Sequence, residues 1–135
     1  MSRFRSRPEF FVDRSLGRHR VAEALRDAGW TLRTHFEVFG KRDEVVADAE
    51  WLEFCGTEGL IVLTKDRRLR YRPAEIAAIR RYRVKAFVLT SGELTALEQA
   101  ERFIANAKAI EEASVAPGPL VYAVQAKRIV RVYPG

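Results

Sequence analysis

Two apolar runs of this chain each end on an aspartate followed by arginine. They are Phe10-Phe11-Val12-Asp13-Arg14 and Leu60-Ile61-Val62-Leu63-Thr64-Lys65-Asp66-Arg67-Arg68. Carboxylates held close together repel unless a cation lies between them. If both runs end on one edge of a sheet, Asp13 and Asp66 call for a hard divalent cation, magnesium or manganese, which takes oxygen ligands. Asp48 is a third candidate. Asp48, Trp51, Leu52 and Cys55 stand at i, i+3, i+4 and i+7, so the aspartate heads the stripe that a helix turns toward its sheet. Asp48 would also serve as a helix N-cap, and Asp13 or Asp66 alone as a turn former; the three together favour a catalytic metal site. Glu50 is a weaker ligand candidate, because it points elsewhere on an ideal helix and joins only if the helix start is frayed.

Cations surround these acids: Arg14, Lys65, Arg67, Arg68, Arg70 and Arg72. A phosphodiester is anionic, and carboxylates would repel it without a metal and a positive rim. The plainer alternative is a solvated loop, or a docking surface for an acidic protein. Tyr71 and Tyr82, interleaved with arginines, could stack on unpaired bases, although partial burial is the ordinary fate of a tyrosine. Other chemistries lack their residues. The single cysteine, Cys55, rules out an internal disulfide and reads as a small buried hydrophobe. The two histidines, His19 and His35, have no zinc spacing; His35 follows the second strand and could lie near the catalytic edge, although a lone loop histidine ordinarily reads as polar surface. No glycine-rich phosphate loop of standard spacing is present.

The elements that must position the acids follow from periodicity and punctuation. Residues 1–8 read as a flexible basic arm, and 9–135 as a single domain. Strands are expected at about Glu9–Asp13, Trp30–Thr34, Leu60–Thr64, Lys85–Leu89, Leu120–Val124 and Arg128–Val132. A first helix carries Val21, Ala24, Leu25 and Ala28 and ends at Gly29. A second covers Val46–Glu58, and a third opens on Pro73 and carries Ile76 and Ile79. A long fourth helix, capped within Thr90–Glu93, runs to about Ala113 with Leu97, Ala100, Ile104 and Ala107 on one face. His35–Val46, with Gly40 and mixed charges, reads as a loop. The alternation of strands and helices predicts an α/β fold, a mainly parallel sheet with helices on both faces and a C-terminal β-hairpin appended.

At 135 residues, 47% hydrophobic and 31% charged, the composition is that of one globular domain. The net charge of +6 points to a polyanion or an acidic protein as partner. No signal-peptide core or membrane-spanning run is visible, so a cytoplasmic protein is expected.

Three segments taken in order resemble a known family: Phe11-Val12-Asp13-Arg14-Ser15-Leu16-Gly17, Asp48-Ala49-Glu50-Trp51-Leu52, and Ile61-Val62-Leu63-Thr64-Lys65-Asp66-Arg67-Arg68-Leu69-Arg70. They are similar to the PIN-like nuclease domains, and more narrowly to the VapC45-like toxins, over about residues 9–90. The resemblance implies a three-layer α/β/α fold and a magnesium- or manganese-dependent endoribonuclease. Asp13, Asp48 and Asp66 fall on the family's acidic positions. Ala49 stands where many members carry a further acid, and the fourth carboxylate common in the family would be Glu50 or Glu75. Glu75 could instead complement the positive start of its helix. The resemblance also implies a toxin neutralised by an antitoxin protein, and a homodimer. A non-catalytic RNA- or protein-binding domain of the same fold is the first alternative. A receiver-type phosphoacceptor domain is the second, although it would want a paired acidic dipeptide after the first strand.

Overall fold

Short apolar runs become strands, and their order fixes where the acids meet. The structure, a computed structural model, describes residues 8–134, so nearly all of the expected basic arm lies outside the described residues. The strands are β1 (Glu9–Val12), β2 (Thr31–Thr34), β3 (Ile61–Thr64), β4 (Lys85–Leu89), β5 (Leu120–Val124) and β6 (Ile129–Tyr133). They form one sheet in the order β2-β1-β3-β4-β5-β6. All neighbours are parallel except β5 and β6, whose antiparallel hairpin extends the sheet rather than packing across it. From β1 the chain steps outward on one side to β2 and then returns to lay β3 on the other. In doubly wound sheets this reversal opens a crevice at the C-terminal strand ends, where ligands bind. Asp13 follows β1 and Asp66 lies two residues beyond β3, so both aspartates sit at the reversal.

The strands are apolar on both faces, as a sheet covered on both sides requires. Phe10, Val12, Ile61, Leu63, Phe87 and Leu89 face α1 (Arg20–Asp27), α5 (Ala96–Ala105) and α6 (Ala107–Ser114). The alternate residues Phe11, Val62, Ala86 and Val88 face α3 (Asp48–Glu58) and α4 (Pro73–Tyr82). Three layers result. Gly56 sets the approach of α3 to α4: a methyl group built on it would overlap the Tyr82 carbonyl oxygen and Cβ. Alanine is the better helix former by about 1 kcal/mol, but forced overlap in a packed interface costs about 1–3 kcal/mol. Gly56→Ala is therefore expected to lower the melting temperature; an unchanged midpoint would show that the two helices part freely.

Three expectations fail. Ala28 lies one residue beyond α1 and is exposed, and the helix buries Val21, Ala22 and Leu25 instead. The stretch expected as a loop after Thr34 contains α2 (His35–Phe39) and a 3-10 turn over Gly40–Arg42. Thr34 accepts the Glu37 amide and Glu37 reaches back to the Thr34 amide, a capping box that outweighs the charged run that follows. The long fourth helix is two helices, and its cap is Thr95, paired with Glu98, not the Thr90–Glu93 region. Asn106 parts them, its side-chain amide donating to the carbonyls of Arg102 and Gln125. The buried face is Ala100, Phe103 and Ile110, whereas Leu97 is 61% exposed and Ile104 is 37% exposed. No helix of the described residues is long and apolar enough to cross a membrane.

Candidate active site

Hydroxyl groups tie the ends of β1 and β3 together before any acid is added. Asp13 donates its amide to the Leu63 carbonyl at 3.0 Å, continuing the strand ladder by one residue. Its Oδ2 accepts the Thr64 hydroxyl at 2.8 Å and the Ser15 amide at 3.3 Å. Thr64 thereby spends its one proton, so in the 3.1 Å pair of hydroxyls Ser15 is the donor. The Lys65 amide donates to Ser15 Oγ and the Asp66 amide to Thr64 Oγ1, at 3.1 and 3.0 Å. Both turns are thus held by the same two side chains. Asp13 ends up 6% exposed at the floor of a cleft of about 240 Å³, whose lining includes Asp48, Asp66, His35 and Arg14.

Asp48 is the first residue of α3, after an N-cap that Ala47 fills without a side-chain bond. Its Oδ1 accepts the Trp51 indole N–H at 2.9 Å, so the apolar stripe aims the carboxylate, as its spacing predicts. Asp66 closes its own turn by accepting the Arg68 amide at 3.1 Å. One guanidinium then joins three carboxylates. Arg72 Nη1 lies 2.8 Å from Asp66, 3.4 Å from Asp48 and 3.8 Å from Glu75. The hydrogen bond to Asp66, more than any other interaction, raises the Arg72 pKa further above its ordinary range. Arg72 was expected to face substrate; it faces the acids instead, because three negative groups converge on it. Glu75, in the first turn of α4, is 9% exposed. Burial first, then the hydrogen-bonded Asp48, pushes its carboxyl above the usual range, against the pull of Arg72.

That shift has a measurable sign. Glu75 binds its proton more tightly in the folded chain, so its ionisation costs stability as pH rises above the ordinary glutamate pKa of about 4.3. Metal-free Glu75→Gln is expected to melt above the wild type at neutral pH. The gap should close as pH falls toward the ordinary glutamate range; a gap independent of pH would exclude Glu75 as its source.

The remaining candidates divide. Glu50 does not reach the cleft: it is exposed and held by Arg42 at 2.9 Å, because it lies off the buried stripe. Arg14 lines the cleft and donates to the Asp43 carbonyl at 3.3 Å. Lys65 is half-buried beside Ser15. Arg67, Arg68, Arg70 and Tyr71 line a separate groove beyond the loop. Tyr82 packs against the core, its ordinary fate.

His35 lines the cleft at the strand edge, as its place after β2 allows, but it is not the polar surface expected of a loop histidine. It is 2% exposed, with Nδ1 2.6 Å from an Asp43 carboxylate that also takes Arg18 at 3.2 Å. Phe11, Phe39 and Trp51 surround the ring. An ionised Asp43 only accepts, which puts the ring proton on Nδ1 in the neutral imidazole. The signal in the sequence is Thr34-His35-Phe36-Glu37, whose capping box makes His35 the first residue of α2, with its ring against Phe11 of β1.

A cation already sits among Asp48, Asp66 and Glu75 in the form of a guanidinium. The donors are all carboxylate oxygens, the set that suits magnesium or manganese. Among the described residues no three such groups stand ready to hold a metal ion. The type of donor suits such an ion, but the arrangement is closed by Arg72, which would have to give up the same oxygens for one to bind.

Residues 8–91 match the family described as PIN like domain. The chain belongs to the PIN-like domain family. This PIN-like domain is also 36% identical over 123 residues to a protein of Mycobacterium tuberculosis named "Putative ribonuclease VapC45". The alignment covers 90% of this chain and 89% of that relative. No solved structure matches the chain. The PIN-like domain match spans the three segments that carry the resemblance in sequence, and the mainly parallel sheet with helices on both faces is the fold that resemblance implies.

Proposed function

We propose that this PIN-like domain is a metal-dependent endoribonuclease that cleaves RNA phosphodiester bonds, the toxin of a toxin–antitoxin pair. The observation that carries the reading is the meeting of Asp13, Asp48 and Asp66 around one cleft at the reversal of strand order, with Glu75 joined to Asp48 and Asp66 through Arg72. The name of the mycobacterial relative supports the same activity. Asp13, Asp48 and Asp66 would hold magnesium or manganese, with Glu75 as the fourth carboxylate. The bound ion would supply Lewis-acid stabilisation of the charge that develops on the phosphodiester oxygens.

The protein's own groups do the rest. Ser15 and Thr64 hold Asp13 and the Asp66 turn in register, so the carboxylates meet without rearrangement of either strand. Arg14, at the lip of the cleft, offsets the repulsion between the acids and an incoming phosphate. The Trp51 indole and Phe11 exclude water from the apolar side, where they stack at 5.5 Å. An antitoxin protein as partner, and a homodimer, belong to the same reading.

The placement of Arg72 favours a second reading, a domain of this fold that binds RNA but has lost turnover. The two separate in one experiment. The purified protein, freed of any co-expressed partner, is incubated with single-stranded and structured RNAs in manganese and then in EDTA. Cleavage in manganese that stops in EDTA is the result expected. Binding without cleavage in every metal would establish the non-catalytic reading.

A further inference from the structure

The loop from β3 to α4 has two sides. Asp66 and Arg72 at its ends face the acidic cleft, while Arg67, Arg68, Arg70 and Tyr71 between them wall a second groove of about 380 Å³. Its floor is the sheet itself: Val88 and Val121, both buried, with half-buried Ala123 and Val132. The volume falls in the ordinary range of ligand sites, about 300–1,000 Å³.

The chemistry of wall and floor differs. Among the described residues Arg67, Arg68 and Arg70 have no acidic partner, whereas Arg18, Arg26, Arg33, Arg42 and Arg72 all form ion pairs. Arg67 donates to the Thr90 carbonyl at 3.0 Å, which braces it across the groove. The Arg70 guanidinium stacks 4.2 Å over the Tyr71 ring, and Tyr71 is 64% exposed. Among the described residues no carboxylate lines the groove. Uncompensated cations attract phosphates, but phosphate gains nothing from a valine floor. An exposed aromatic ring does attract a base, and the half-buried Ala123 and Val132 offer apolar surface beside it. A ligand with both an anionic backbone and free π-faces is an unpaired nucleic-acid strand; a duplex hides its base faces.

We infer that this groove holds the single-stranded nucleotides next to the bond cleaved in the acidic cleft, phosphates on Arg67, Arg68 and Arg70 and a base against Tyr71 and Val132. The inference rests on the ribonuclease reading for the identity of the strand. Its test does not depend on turnover.

Binding of a short fluorescein-labelled oligouridine is followed by fluorescence anisotropy in EDTA, across a series of salt concentrations. Arg68 and Tyr71 are exposed and Arg70 is half-buried, so an unchanged melting temperature serves as the check on folding. The double variant Arg68→Gln/Arg70→Gln is expected to bind about tenfold more weakly. Its plot of log affinity against log salt should be shallower by roughly 1.4, about 0.7 for each single-strand phosphate left without its arginine. Tyr71→Ala should weaken binding about tenfold with the slope unchanged, because stacking releases no counterions. Variants that bind and cleave as the wild type does would overturn the groove and leave the nuclease standing. Wild type that never cleaves, yet loses affinity and slope in these variants, would uphold the groove and overturn the nuclease. Polyglutamate bound tightly by the wild type and released by the arginine variants, with RNA affinity unmoved, would assign the groove to an acidic protein and overturn the inference.

Discussion

Arg72→Gln is expected to tighten manganese binding about tenfold, close to 1.4 kcal/mol, and to lower the melting temperature of the metal-free protein. Both effects come from one geometry. Nη1 of Arg72 meets Asp66, Asp48 and Glu75, so the carboxylates that would take the metal already share a cation. A ligand that binds only when this guanidinium has left sees an affinity reduced by the fraction of molecules in which it has left. Removing the arginine removes that reduction. It also strips three acids of their counter-charge. Asp48 and Arg72 are 37% and 33% exposed, so solvent screens much of the missing attraction, and the cost is about 1 kcal/mol rather than the several expected of a buried pair. Titration calorimetry with manganese, beside thermal melts in EDTA, reads both. Arg72→Lys keeps the charge and should fall between the two proteins. If Arg72→Gln bound manganese no more tightly than the wild type, Arg72 would be a support for the site and not a competitor.

The exchange also accounts for how the arginine misleads a reading of the sequence. Arg67 to Arg72 reads as one basic segment facing substrate, yet the chain bends around Asp66 so that only part of the segment faces outward. Spacing gives the charge of a loop, not the side of it on which each guanidinium falls. Strands are legible because their signal is local. Lys85–Leu89 is bounded by its own apolar run and its flanking polar residues, and the structure returns the same bounds. Asp48 is legible for a related reason, since the stripe of Trp51, Leu52 and Cys55 that aims it is periodic. Glu75 remains one of two options in sequence. Its convergence with Asp48 depends on how closely α3 approaches α4, and a glycine packed on Tyr82 sets that distance without leaving a pattern. His35 escapes through a cap that is present but carries little weight beside its neighbours. Glycine and four consecutive charges argue for a loop, and the reciprocal hydrogen bonds of Thr34 and Glu37 decide for a helix.

The largest effect is expected from the most buried of the three aspartates that line the cleft. Asp13→Asn should lower manganese-dependent RNA cleavage by about a thousandfold, the scale seen when one electrostatic group is removed from a transition-state site. The same substitution should raise the melting temperature in EDTA. Asp13 is 6% exposed and forms no ion pair among the described residues, yet it accepts the Thr64 hydroxyl and the Ser15 amide. An asparagine oxygen can accept both bonds, so the stitch between β1 and β3 survives while a buried, unpaired charge is removed. A gain of about 1 kcal/mol corresponds to roughly 3–5 °C for a chain of this size. Metal is expected to stabilise the wild type, since binding the native state alone raises apparent stability, and Asp13→Asn should lose most of that increment. A residue kept for structure behaves in the opposite way, losing stability on substitution and keeping whatever chemistry survives. Cleavage at wild-type rate by a less stable Asp13→Asn would remove Asp13 from the site. A more stable protein that no longer cuts RNA would place the charge of Asp13 in the reaction, with its position held by Thr64 and Ser15.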